Sequence, residues 1–194
     1  MSTHFNPRTW FSGLAVAVIV CAFVFSSPFA GAAEPDALEA KALSGDIFAQ
    51  HNLGLLYSEG RSVPQNFEAA ARWFRLAARQ GYPYSQYELG NLYETGQGVA
   101  RDRRAAIQWF KKSAEQGYST AQYQLGVHYY NGQGVPQDYK EAVRWFRMAA
   151  EQGLVSARYN LGLMYESGDG VKQDLAMAAK WYRLAAGQGH AAAQ

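Results

Sequence analysis

Residues 121–156 read AQYQLGVHYYNGQGVPQDYKEAVRWFRMAAEQGLVS, and the order of apolar residues and glycines in them describes two helices. Ala121, Leu125 and Tyr129 fall at four-residue steps, one face of a first helix, helix A, over Ala121 to Asn131. Gly132 stands where a left-handed C-terminal cap would end it. The loop Gly-Gln-Gly-Val-Pro-Gln-Asp (132–138) follows, and its Asp138 suits the N-cap of a second helix, helix B. Ala142, Trp145, Phe146, Ala149 and Ala150 form the apolar stripe of helix B, and Gly153 closes it.

The same plan recurs every 36 residues, without a gap. Leu-Gly stands at 53–54, 89–90, 125–126 and 161–162; tryptophan at 73, 109, 145 and 181; Gln-Gly at 80–81, 116–117, 152–153 and 188–189. Loop-ending caps recur as Asn66, Asp102, Asp138 and Asp174. The units span about 49–84, 85–120, 121–156 and 157–192. Leu-Gly-x2-Tyr followed by Ala-x3-Phe or Ala-x3-Tyr (Ala70/Phe74, Ala178/Tyr182) is part of the tetratricopeptide pattern. With Gly-x-Gly-Val-x-x-Asp and Ala-Ala-x-Gln-Gly, the chain resembles the Sel-one-like repeat family, a tetratricopeptide relative, over residues 36–194. The departures are Ser62 at the second loop glycine of the first unit and Ala100 at the proline of the second. The expected fold is all-α: a right-handed α/α solenoid of four repeats, each stabilised chiefly by its neighbours. Mid-helix glycine costs about 1 kcal/mol against alanine. Gly54, Gly90, Gly126 and Gly162 are therefore expected at a close helix approach, with the alanines at 70, 106, 142 and 178 as the matching small surface. The tryptophans are expected to fill the wedge between units.

The two ends differ from the units. Asp36 to Gly45 match the second half of a unit, with Ala37 in place of tryptophan, and residues 34–46 read as an N-terminal capping helix. Residues 1–33 carry one formal charge, Arg8, then a 16-residue apolar run from Trp10 to Phe25 and the small residues Ala30-Gly31-Ala32-Ala33. This is the pattern of a cleaved secretory signal, and the run is shorter than the roughly 20 residues of a spanning helix. No membrane span is expected to remain after cleavage; an uncleaved anchor is the alternative. Cys21, the only cysteine, lies inside that run. At the other end only His190 to Gln194 follow Gly189, so Ala178, Trp181, Tyr182 and Ala185 are expected to leave an apolar patch. Self-association or docking through that edge follows, or a chain that continues beyond it.

Little here points to catalysis. The histidines fall in different columns of the repeat, no Cys/His spacing fits a metal, and no nucleophile has a recognisable base. Gly96-Gln97-Gly98 lacks the Lys-Ser/Thr of a phosphate loop. Glu94 and Glu166 lie two units apart, too far for concerted acid/base work. The chain is read as not an enzyme, with no cofactor. A net charge of +2 makes no demand for nucleic acid.

Two surfaces remain. Tyr87, Tyr123 and Tyr159 share a helix A column with His51, beside the varied columns Leu55/Asn91/Val127/Leu163 and Ser58/Glu94/Tyr130/Glu166. The resemblance implies that helix A lines a groove for a peptide, and tyrosine suits such surfaces. Packing between units explains the tyrosine column as well. Arg75, Lys111, Arg147 and Arg183 form a basic column on helix B, thickened by Arg103 and Arg104. That ridge could hold an anionic polymer or lipid, but Lys111/Glu115 and Arg147/Glu151 are i,i+4 pairs that would neutralise it. The reading is an exported scaffold or adaptor for a protein partner, periplasmic or secreted, bacterial by resemblance.

Overall fold

The computed structural model describes residues 35–187; the expected signal over 1–33 and the stub after Gly187 lie outside the described residues. Among the described residues the chain is helical throughout: α1 (Pro35–Leu43), α2 (Ile47–Glu59), α3 (Phe67–Arg79), α4 (Pro83–Thr95), α5 (Arg103–Glu115), α6 (Ser119–Asn131), α7 (Tyr139–Glu151), α8 (Val155–Ser167) and α9 (Leu175–Ala186). The even-numbered helices are the A helices, and α3, α5, α7 and α9 the B helices. Helices adjacent in sequence pack on one another in an unbroken series, so the fold is an α/α solenoid. Each A helix begins about two residues earlier than the sequence pattern places it, because Tyr82, Tyr118 and Leu154 take extended N-cap backbones without a side-chain cap.

The capping residues act as read. Asn66, Asp102, Asp138 and Asp174 accept backbone N–H bonds from the first turns of α3, α5, α7 and α9. Gly60, Gly96, Gly132 and Gly168 end the A helices in left-handed backbone.

The mid-helix glycines do mark the close approach, but alanines are not what they meet. A Cβ at Gly126 would lie 2.5 Å from the Phe146 ring, and one at Gly90 2.6 Å from Phe110. Phe74 and Tyr182 stand against Gly54 and Gly162 in the same way. A flat ring crosses the glycine because its face gives more contact than a methyl, and Phe74, Phe110 and Phe146 are the largest fully buried side chains. The tryptophans fill the wedge as expected. Trp145 packs on Ala106, Phe110 and Leu125, and Trp181 packs on the cluster of Phe146 and Leu161.

Polar side chains lock the units from within. Buried Gln86 donates to the Ala78 carbonyl, and Gln116 donates to Gln86 at 2.7 Å. The third unit repeats this with Gln122, Ala114 and Gln152. In the fourth, Arg158 replaces the first glutamine and bonds the carbonyls of Ala150 and Leu184.

Towards the C-terminal edge, Ala178 and Ala185 are buried and Trp181 and Tyr182 half-buried, so they do not form the expected patch. Leu175 (65% exposed) and Leu184 (39%) are the large apolar side chains exposed on α9.

Candidate partner-binding groove

The A helices place corresponding residues one unit apart along one face of the solenoid. Between α6 and α8 that face holds a pocket of about 510 Å³. Tyr123, Val127, Tyr130 and Asn131 line it from α6, with Phe146 of α7; Asn160, Leu163, Met164, Glu166 and Ser167 line it from α8, with Asp169 just beyond. The apolar part is fixed by packing. Phe146 and Met164 are buried, and Tyr123 leans on Phe146 with ring centres 5.7 Å apart. Tyr130 is 38% exposed at the mouth and rests on Tyr139, 5.2 Å between centres.

Among the described residues the carboxylates at the pocket bond to hydroxyls. Tyr182 donates to Glu166 at 2.6 Å. Burial first, then the Glu166 hydrogen bond and charge, raises the Tyr182 phenol well above its ordinary range, so it stays a donor at neutral pH. Ser167 donates to Asp169 at 2.8 Å.

The equivalent place between α4 and α6 is built differently. Glu94 occupies the column of Tyr130 and accepts from Arg103 at 3.2 Å. Its other oxygen lies 3.6 Å from Nε2 of His128, which is buried and whose Nδ1 bonds the Gln133 carbonyl. A carbonyl only accepts, so Nδ1 carries the proton there. Glu94 is thus held within the chain rather than offered to a partner, and Arg103 turns onto it instead of thickening the basic ridge. Placed at the first residue of α5, Arg103 is close to the end of α4 where Glu94 sits.

The structure therefore brings together Tyr123, Tyr130 and Glu166 at one pocket. Tyr87 stacks on Phe110 and Tyr118, and Tyr159 on Tyr182, each in its own unit's share of the face. The basic ridge is partly consumed. Arg75 donates to Tyr93 and Arg147 to Tyr165, each across to the next A helix. Lys111 meets Glu115 as expected, at 3.9 Å, whereas Arg147 reaches the Tyr165 hydroxyl at 3.0 Å instead of Glu151. Arg104 and Arg183 are exposed.

Sequence reasoning passed over Asn160, Met164 and Asp169. The signal for Asp169 was present: its column reads Arg61, Gln97, Gln133 and Asp169. It also missed a row of rings from Phe48 through Tyr82 and Tyr84 to Tyr118, with centres 4.8–5.5 Å apart. His51 joins that row, and burial lowers its pKa from the usual value.

Among the described residues no helix is long and apolar enough to cross a membrane, and no cluster of His, Cys, Asp and Glu could hold a metal ion. Curated proteins gave no match. Among solved structures, the chain is similar to a protective antigen present in uropathogenic Escherichia coli strains that displays an SLR fold. Identity is 39% and the TM-score 0.80, over 81% of this chain and 34% of that one. It is also similar to a Sel1 repeat protein from Oxalobacter formigenes, at 37% identity and a TM-score of 0.75, over 83% of this chain and 64% of that one. The chain thus spans about a third of the first relative and just under two thirds of the second. Helicobacter pylori cysteine rich protein B shares the fold, at 21% identity and a TM-score of 0.51, over 63% of this chain and 93% of that one. The Sel1 repeat model matches four times in succession, at residues 47–82, 83–118, 119–154 and 155–190, and the chain belongs to the Sel1 repeat family.

Proposed function

We propose that the chain is an exported scaffold whose helix A face holds a segment of a partner protein, anchored in the pocket between α6 and α8. Sel1 repeats generally serve as protein–protein interaction scaffolds, a fold without catalytic machinery of its own. The observation that carries the reading is the pocket itself: about 510 Å³, with an apolar floor and a few polar groups at its rim. Tyr130, Leu163 and Glu166 stand in columns that change from unit to unit. Recurring positions build the solenoid, and positions free to differ can recognise a partner.

Export, to a periplasmic or secreted site, is supported by the basic start, apolar run and small-residue exit of residues 1–33, and a bacterial setting by the relatives. Anionic polymer binding through helix B is the weaker reading, since Arg75, Arg147 and Lys111 already have partners. Leu175 and Leu184 support a second contact, of two copies or a partner, at the C-terminal edge; measuring mass against concentration tests it.

A photo-crosslinking residue at Tyr130, and in a second protein at Lys180 on exposed helix B, tests the main reading in envelope extract. Capture from position 130 and not 180 is expected. Capture from 180 alone, weakening steeply with salt, would replace the groove with the ridge.

A further inference from the structure

We infer that the pocket between α6 and α8 takes an arginine side chain of the partner's segment; this rests on the helix A face being the binding surface. The repeat supplies its own control. Glu94 and Glu166 occupy the same position of helix A, two units apart. At Glu94 the chain provides the cations itself. Arg103 donates to one carboxylate oxygen and Arg101 donates to the backbone carbonyl of Glu94 at 2.9 Å, while the second carboxylate oxygen is buried beside His128 without a hydrogen bond. At Glu166 the positions of Arg101 and Arg103 are Gln173 and Leu175. Gln173 still bonds the backbone carbonyl, at 2.8 Å, but Leu175 leaves the carboxylate without a guanidinium.

A second carboxylate is added at this seam. Asp169 stands where earlier units carry Gln97 and Gln133. Among the described residues neither Glu166 nor Asp169 makes an ion pair, and no lysine or arginine lines the pocket. The mouth also lies at the C-terminal ends of α6 and α8, whose free carbonyls carry partial negative charge. Acids, helix ends and the missing internal arginine all favour a cation.

The rest of the pocket selects which cation. Leu163, Val127 and Met164 offer a slot for a methylene stem, as basic side chains bury their stems and keep their heads polar. Tyr130 adds an aromatic ring to the lining, and Asn131 and Asn160 add polar groups. A planar guanidinium stacks on a ring and bonds two acceptors at once, which an ammonium does less well.

Titration of the isotope-labelled chain with the capped peptide Gly-Gly-Arg-Gly-Gly, followed by NMR, tests this. The amides of Tyr130, Asn160, Leu163 and Asp169 are expected to shift. The same peptide with citrulline, alike in shape but uncharged, should bind about tenfold or more weakly. E166Q and D169N should each weaken the arginine peptide about tenfold while keeping the Tyr182 and Ser167 hydrogen bonds. E94Q should change nothing. Equal binding of the citrulline peptide, no shifts with arginine, or undiminished binding by the E166Q/D169N double variant would overturn the inference. If that double variant still captures the partner through position 130 with full yield, the groove stands and the arginine falls. If position 130 of the wild type captures nothing while the arginine peptide binds as described, the pocket chemistry stands and the groove reading falls.

Discussion

The seam between α4 and α6 and the seam between α6 and α8 share one backbone plan, yet one is filled by charge and the other is hollow. In both, a glycine of helix A lies under a phenylalanine ring of helix B, and a pair of glutamines joins that helix A to its own helix B. The difference lies in three columns. The first seam has Glu94, Arg103 and His128; the second has Tyr130, Tyr139 and Met164. An ion pair with partly exposed members contributes no more than about 1 kcal/mol, so stability does not force the first arrangement. Recurring positions carry the fold, while a few variable ones decide whether a seam satisfies its own polar groups or leaves them to a partner. That leaves the pocket as a property of these three columns rather than of the solenoid.

The largest effect should come from breaking the frame both seams share. Gly126 lies on α6, which walls both, and its neighbour Phe146 floors the pocket. Gly126→Leu must displace that ring, an overpacking that costs about 1–3 kcal/mol or more. Gly132→Ala strains a left-handed cap (φ 66°) by about 1 kcal/mol and leaves the rings in place. Thermal melts should rank Gly126→Leu below Gly132→Ala. Equal midpoints would mean that the ring contact carries little of the fold.

The frame was legible in the sequence because it repeats. Four copies of Leu-Gly, Trp and Gln-Gly fix helices, caps and period together, and the caps at Asn66, Asp102, Asp138 and Asp174 fall where they were read. What glycine meets was not legible, because the spacing gives a face and not which side chain crosses it. The site was half legible for the opposite reason. Tyr130 stood out as a departure from its column, but Met164 and Asn160 act only through an inter-unit contact that no single unit displays. Glu94 and Glu166 look alike within their column, and their neighbours distinguish an acid paired with an arginine from one left without a cation.

The second test transfers one seam onto the other. Tyr130→Glu, Tyr139→Arg and Met164→His together copy the first arrangement into the second. The fold should persist, since the copied residues already coexist 36 positions earlier. Partner capture should drop by about tenfold or more, the loss typical of removing a central aromatic anchor. A triple variant that captures as well as wild type would break the link between the hollow seam and binding.

A smaller change isolates one side chain. Tyr130→Ala removes an exposed ring whose aromatic neighbour, among the described residues, is Tyr139. Its melting midpoint should stay within the shift of about 0.5–1 kcal/mol usual for surface positions. Partner affinity should fall by about 1–2 kcal/mol. Affinity unchanged with the midpoint unchanged would remove Tyr130 from the site.

The smallest effect concerns the column that supplies Asn160 to the pocket, which reads Glu88 two units earlier. Glu88 is half-buried and accepts from Asn91 at 3.3 Å. Burial raises its pKa above the ordinary 4.5, the Glu59 charge adds to the rise, and the Asn91 hydrogen bond opposes it. Between 4.5 and the folded value, the folded chain therefore holds more proton on this group than the unfolded chain. Stability from Glu88 is present below 4.5 and is lost as pH rises through the folded value, so at neutral pH the group is a net cost. Glu88→Gln keeps the size and an acceptor for Asn91 and removes the charge. Its melting midpoint should exceed wild type at neutral pH, and the gain should shrink to nothing as pH falls below 4.5, where Glu88 is neutral in both states. A gain that grew on acidification would mean that a favourable partner, not burial, governs this carboxyl. Asn160, uncharged at the corresponding place, spares the seam between α6 and α8 that cost and leaves Glu166 and Asp169, among the described residues, as the carboxylates along the pocket.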